Sequence, residues 1–300
     1  MKIVSFILLC FMSTPALADT EIEMDAFSSK SIFTEPLAHP RTPGDIGMSI
    51  NSTRYKGQKI YYFEGVIGRS LPLVTATIGE LKLQLSAQAS AWIALGYDDW
   101  SFPLITEDFF LAAPISFRYK NWSGSIAYNH ISAHQGDGMD MLMEETLSEE
   151  EQKEFEFYED LAEDEGMGLT VVDPEAYSRD FISMYVSYER KLGILNSRLY
   201  GHLGYVHKMI PEELGRWFVG NGLELRYPHD MWSPYYSQDV TWNEDTDSVD
   251  YSGQLGVYIA NEEEDIFSFR LAIIAFMGYD RKGQFIGRKD KRIGFGFFVR

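Results

Sequence analysis

Residues 81–95 read LKLQLSAQASAWIAL. Leu81, Leu83, Leu85, Ala87, Ala89, Ala91, Ile93 and Leu95 fall on one face of an extended chain, and Lys82, Gln84, Ser86, Gln88 and Ser90 on the other, because successive side chains of a strand point to opposite sides. The alternation runs well past the roughly five or six residues of an ordinary strand. A strand this long, apolar on one side and polar on the other, suits a wall between lipid and a polar lumen.

The pattern recurs. Tyr251, Leu255, Val257 and Ile259 alternate with Ser252, Gln254 and Gly256, and Phe267, Phe269, Leu271, Ile273 and Ala275 alternate with Ser268, Arg270 and Ala272. The chain closes on RIGFGFFVR, where Ile293, Phe295, Phe297 and Val299 share a face; this resembles the aromatic last strand of outer-membrane barrels. Candidate strands lie near residues 46–55, 60–71, 80–95, 108–120, 122–134, 177–190, 197–208, 215–227, 231–243, 249–260, 265–278 and 291–299. They predict an all-β protein, a closed antiparallel transmembrane β-barrel of about twelve strands in the outer membrane. An even count brings both termini to the periplasmic side, so the short connections at 120–122, 192–196 and 261–265 are expected there. The mostly longer ones from Tyr97, Asp137, Met209, Glu244 and Tyr279 are expected outside the cell. Arg54, Arg69, Glu64, Glu224, Arg226 and Arg270 are expected to form a charged lumen network, which in so narrow a barrel plugs rather than conducts.

The ends and the composition bound the rest. MKIVSFILLCFMSTPALA has a lysine, an apolar run and a small-residue cleavage site, so residues 1–18 read as a signal peptide. Cys10 is the only cysteine and leaves with it, which excludes a disulfide framework or a thiol nucleophile from the exported protein. The formal net charge of −19 and the export signal argue against nucleic-acid partners. Residues 19–45 contain Pro36, Pro40 and Pro43 and read as a periplasmic arm or a lumen plug ahead of a barrel over 46–300. Residues 137–176 hold EETLSEEEQKEFEFYEDLAEDE, an acidic extracellular loop. It reads as a solvated helix begun at Ser148 or an irregular loop. A sharper reading is a bridge of divalent cations, calcium among them, to lipopolysaccharide phosphates, since hard cations take carboxylate oxygens.

The segment SIAYNHISAHQGDG carries the chemistry. Trp122, Ile126 and Tyr128 share a face with His130, Ser132 and His134, so the histidine and serine point outward at the end of a strand that runs toward the acidic loop. The chain returns through YSRDFISMYVSYER, whose apolar face of Ile182, Met184, Val186 and Tyr188 includes Ser178 and Asp180. Neighbouring strands lie about 5 Å apart, which can set Asp180 beside His130. A serine hydroxyl becomes a useful nucleophile when an imidazole takes its proton, and the imidazole needs a third group to fix its tautomer and steady its charge. Cα atoms two apart on a strand are separated by roughly 6.6 Å, within reach of a histidine side chain. Amides near Gly136 or Gly138 are the candidates for an oxyanion hole. The alternative is a polar patch at the membrane interface, where such groups are tolerated. His130 with His134 lacks further ligands for a metal site, and His202 and His207 fall on opposite faces of their strand.

The His-x-Ser pair on an outward face, with a polar partner on the next strand, resembles outer-membrane phospholipase A and the outer-membrane lipid A 3-O-deacylases. That resemblance implies Ser132 as nucleophile, His130 as base and Asp180 as orienter in hydrolysis of acyl esters of phospholipid or lipid A. Ser178-Arg179 before Asp180 is similar to the serine-arginine pair that precedes the partner residue in the phospholipase. The stretches PLAHPRTP, HISAHQGD and YSRDF together resemble an uncharacterised family of exported barrel-like proteins. Membrane lipids and lipopolysaccharide are the expected partners, with a homodimer and a calcium requirement left open. The competing function is a non-catalytic barrel, structural or a narrow channel.

Overall fold

A computed structural model describes residues 22–300 apart from residues 29, 42, 44, 56–57, 98–100, 137–176, 211, 213, 230–231, 260–267 and 283–288. The expected signal peptide and acidic loop lie outside the described residues. Among the described residues there are thirteen strands: β1 (Ile22–Ala26), β2 (Ile46–Tyr55), β3 (Gln58–Ile78), β4 (Leu81–Leu95), β5 (Leu104–Tyr119), β6 (Trp122–Gln135), β7 (Tyr177–Leu192), β8 (Leu195–Ile210), β9 (Trp217–Arg226), β10 (Trp232–Asn243), β11 (Ser248–Ile259), β12 (Phe269–Tyr279) and β13 (Lys289–Val299). Strands β2 to β13 pair antiparallel with their sequence neighbours, and β13 returns to β2 with Phe295 opposite Ile50 and Val299 opposite Ile46. The wall is therefore a closed barrel of twelve strands, which leaves no free edge within the ring.

The barrel is apolar outside and polar inside, because period-two alternation sends each class of residue to one side. Leu85, Leu111, Ile126, Leu255, Ile273 and Phe295 stand exposed on the exterior, while Gln84, Asn51, Asp108, Asp239, Asp250, Arg270 and Asp290 are fully buried within. On β4 the alternation predicted for residues 81–95 is realised, with Gln84, Ser86, Gln88 and Ser90 buried and Leu85, Ala87 and Ala89 exposed. A closed barrel with this exterior belongs in the outer membrane, the setting of closed β walls.

Three features depart from the sequence expectation. β3 continues to Ile78, past its expected end, through a register shift between Pro72 and Val74. Its far edge pairs with β2 up to Ile67 and with β1 from Val74 onward. Pro72 falls in the gap between them, where a missing donor costs no ladder bond to either strand. β1 itself lies in the stretch read as irregular. Arg69, grouped with the lumen charges in the sequence, takes an exposed odd-numbered position on β3 with Ile67 and Leu71, and lines the mouth of the cavity at the tight-turn end. Glu64, Glu224, Arg226 and Arg270 take inward positions, and the Arg54 side chain lies outside the described part.

Between β1 and β2 the chain passes inside the wall. Ile32 N–H donates to Gln84, Leu37 N–H to Glu224 and Ala38 N–H to Ser237, while Arg118, Arg198 and Gln254 donate to the carbonyls of Ile32, Thr34 and Leu37. Arg41 pairs with Asp108, and Asp45 with Arg270 and Arg300. A segment without ladder partners has its backbone polar groups met by inward side chains of the barrel. Pro36, Leu37 and Ala38 are buried there.

Candidate active site

β6 rises from the tight turn at 120–121, and β7 descends beside it from the far end of the barrel. Their register sets His130 directly opposite Asp180 and Ser132 directly opposite Ser178. Even-numbered residues of both strands face outward, as the exposed Ile126, Tyr128, Ile182 and Met184 show. His130 Nδ1 lies 2.7 Å from Asp180 Oδ1. A carboxylate only accepts, so Nδ1 carries the proton and Nε2 is left as the basic ring nitrogen. The side chains are 42% and 19% exposed, open enough for a ligand to approach the imidazole from the lipid side.

Two rows of cross-strand neighbours make up the exterior surface here. One runs Leu111, His130, Asp180, Lys208 across β5 to β8; the next, nearer the distal rim, runs Phe109, Ser132, Ser178, Ile210. Beyond them Glu107 faces His134, whose ring packs edge-on to Phe109 at 5.8 Å between centroids. Below lie Tyr128 and Ile182, both exposed. A polar patch is thus bordered by apolar side chains on three sides. Ser132 shares this surface with the His130–Asp180 pair but is not hydrogen-bonded to the imidazole.

Lys208 escaped the sequence reading for a structural reason. On β8 the even positions Arg198, Tyr200, His202, Gly204 and Val206 are buried in the lumen, and strict alternation would send Lys208 there too. The β7–β8 register shifts between Asp180 and Phe181, so that Asp180 opposes Lys208 while Phe181 opposes Val206. The extra residue leaves both His207 and Lys208 exposed before Met209 is buried again. A lysine on the exterior therefore stands opposite Asp180 in the strand register. Only the side-by-side burial pattern of two strands reveals it.

The expected oxyanion donor at Gly136 is engaged elsewhere: its N–H donates to the Ile105 carbonyl at 2.9 Å. Gly138 lies outside the described residues. Among the described residues no group of three or more histidine, aspartate or glutamate side chains is arranged to hold a metal ion.

A second histidine–aspartate pair lies in the lumen. His202 Nε2 is 3.2 Å from Asp239 Oδ2, and Tyr200 and Thr241 hydroxyls donate to the same carboxylate at 2.9 and 2.6 Å. His202 reaches from β8 to β10 across β9 because Gly220 stands between them; a Cβ at Gly220 would come within 2.4 Å of His202 Nε2. Gly222 does the same for Tyr200, whose hydroxyl would lie 2.1 Å from an added Cβ. The His202 ring is stacked on Tyr185 and met edge-on by His39, each at 5.3 Å.

Residues 169–299 match the family described as "Protein of unknown function (DUF1207)". No curated protein matches the sequence. Among solved structures, the barrel is similar to the Salmonella typhi outer membrane phospholipase dimer with bound calcium, at 12% identity and a TM-score of 0.51, over 91% of this chain and 94% of that one. It is also similar to an outer membrane channel from Pseudomonas putida F1 (12% identity, TM-score 0.46, 89% and 99% coverage) and to LpxR from Salmonella typhimurium (8%, 0.39, 85% and 99%). At these identities the likeness concerns the barrel fold alone.

Proposed function

We propose that this outer-membrane barrel hydrolyses acyl esters of phospholipid or lipid A, with Ser132 as nucleophile, His130 as general base and Asp180 as the group that orients the imidazole. The observation that carries the reading is the 2.7 Å contact between His130 Nδ1 and Asp180 on the lipid-facing surface, with Ser132 two residues along the same strand face. Ionisable groups are costly against lipid, and a purely structural exterior has no use for them there.

The chemistry follows from the residue types. Ser132 Oγ attacks the ester carbonyl carbon as His130 Nε2 takes the hydroxyl proton, and the Asp180 carboxylate stabilises the resulting imidazolium. Collapse of the tetrahedral adduct expels the lipid alkoxide, which receives the proton from His130. Water, deprotonated by His130, then attacks the acyl-serine, and collapse of that adduct releases the fatty acid as Ser132 Oγ takes the proton back from His130. Hydrogen bonds of this kind tighten when substrate fills the site, so the absence of a Ser132–His130 bond in the free protein is compatible with the role. Lys208 opposite Asp180 gives the patch a cation for the phosphate of an incoming lipid.

The competing reading, a structural or narrow-channel barrel, is disfavoured as a conduit by the arm residues bonded across the lumen. Fatty-acid release from phospholipid and lipid A by the purified protein, with calcium and with a chelator, separates the two. Release by the wild type that is lost in Ser132→Ala and in His130→Ala supports the hydrolase. Equal release by all three, or none from the wild type under either condition, overturns it.

A further inference from the structure

The lipid-facing surface is not apolar at every depth. Trp217 and Tyr227 bracket β9 on the exterior ten residues apart, and Trp232 and Trp242 bracket β10 in the same way. Ten residues of a strand tilted by about 40° rise about 25 Å, the height of the apolar band between the aromatic girdles of such barrels. Asn221 and Gln238 each lie four residues from the distal aromatic and six from the periplasmic one. Asn221 is exposed between the buried Gly220 and Gly222, and Gln238 half-buried between the buried Ser237 and Asp239, so both side chains point outward near mid-depth. At that depth β5 presents Leu111, Ala113 and Ile115, and β12 presents Leu271, Ile273 and Ala275.

The two amides are diagonal neighbours across the β9–β10 pair, and most of their hydrogen-bonding groups are unmet. The Tyr236 hydroxyl donates to Gln238 Oε1 at 2.7 Å and lies 3.3 Å from the Tyr251 hydroxyl. Among the described residues neither Gln238 Nε2 nor either polar atom of Asn221 has a hydrogen-bond partner. A side-chain amide carries two N–H donors and an acceptor oxygen, and hydrocarbon answers none of them. The surface beside them also has relief. Gly201 stands directly opposite Asn221 on β8, between Leu199 and Leu203, which are 56% and 37% exposed. A Cβ at Gly201 would meet nothing nearer than the Gly220 carbonyl at 3.8 Å, so the packing of this chain does not call for glycine there. Close approach of a second backbone does.

We infer that the exterior of β8 to β10 is an interface with a second copy of this chain, in which Asn221 and Gln238 of the two copies hydrogen-bond to one another across a two-fold axis along the bilayer normal. Depth and chemistry select the copy. Barrels of one sequence insert in one orientation, so this axis keeps every residue at its own depth and brings amide to amide. An amide is its own complement, donor to acceptor in both directions. Lipid carries its polar groups at the two surfaces of the hydrocarbon core and meets neither amide at mid-depth. The interface is centred on β9, two strands beyond β7, and does not rest on the hydrolase reading.

Sedimentation equilibrium of the full chain, folded in a density-matched uncharged detergent, tests the inference. A reversible monomer–dimer equilibrium is expected for the wild type. The double variant Asn221→Leu with Gln238→Leu is expected to weaken association about tenfold or more, the scale of two hydrogen bonds lost in a membrane interior. Gly201→Leu, which fills the slot beside Asn221, is expected to weaken it as well. Leucine suits a lipid-facing position, and heat-dependent gel migration reports whether each variant has folded. Cys10 is the only cysteine of the chain and precedes the expected cleavage site, so single cysteines give a second readout in dilute phosphatidylcholine vesicles. Mild oxidation is expected to yield a covalent dimer from Asn221→Cys or Gln238→Cys and none from Ala113→Cys, at the same depth on β5. A monomeric wild type, an association unchanged in the double leucine variant, or trapping of Ala113→Cys as readily as the other two would each overturn the proposal.

Discussion

Two histidine–aspartate pairs in this barrel face opposite ways, and their surroundings separate them more than their residue types do. His202 and Asp239 are sealed in the lumen, with side chains 0% and 1% exposed, and the carboxylate is saturated by Tyr200 and Thr241 as well as by the imidazole. His130 and Asp180 make a shorter contact on the exterior, where the imidazole is 42% exposed and a serine stands two residues away. A buried carboxylate held by three partners fixes its neighbours in place; a partly open pair beside a hydroxyl is able to exchange a proton. The one-residue parity of a strand decides which of these a histidine–aspartate pair becomes.

The comparison breaks first, and by the largest margin, if the exterior pair is dispensable. Ser132→Ala and His130→Ala are each expected to lower fatty-acid release by about 10³-fold or more, the usual scale for a disabled nucleophile–base pair, while the unfolding midpoint in urea stays close to wild type. Asp180→Asn keeps the shape but removes the charge that steadies the imidazolium. A loss of roughly 10²-fold in kcat with little change in KM is expected. A change confined to KM would mark Asp180 as a lipid contact instead.

The interior pair should respond the other way round. Asp239→Ala strands Tyr200, Thr241 and His202 without their common acceptor, and a destabilisation of about 3 kcal/mol is expected in urea titrations. Activity per folded molecule is unchanged. A folded Asp239→Ala protein that loses hydrolysis would erase the distinction between the pairs. The smallest effect belongs to Lys208→Gln: KM for anionic lipid rises about tenfold and KM for a zwitterionic lipid rises less. Equal shifts for both lipids would remove the proposed contact with phosphate.

The wall was legible in the sequence because alternation is a local property. Residues 46–55 and 122–134 mark β2 and β6 almost to the residue, and LKLQLSAQASAWIAL marks β4. The outward placement of His130, Ser132 and Asp180 is read from the same parity. What escaped depends on contacts between segments that the sequence does not bring together. β1 is five residues long and gains its place only from the free edge of β3. Lys208 faces outward because β7 and β8 slip by one residue against each other. The His202–Asp239 pair needed Gly220 on the intervening strand, a relation across three neighbouring strands that no single strand records. Arg69 holds an odd-numbered, exposed position and yet lines the cavity at the tight-turn end, so parity and charge point different ways at this one residue.

The most direct test of the central claim is covalent labelling of the folded protein with a long-chain alkyl fluorophosphonate, followed by mass spectrometry of the peptide containing Ser132. Phosphonylation of Ser132 that is lost in His130→Ala, and is retained in Asp239→Ala, is the result that an imidazole-activated hydroxyl on the lipid-facing surface requires. An unlabelled Ser132, or labelling that persists without His130, would contradict it.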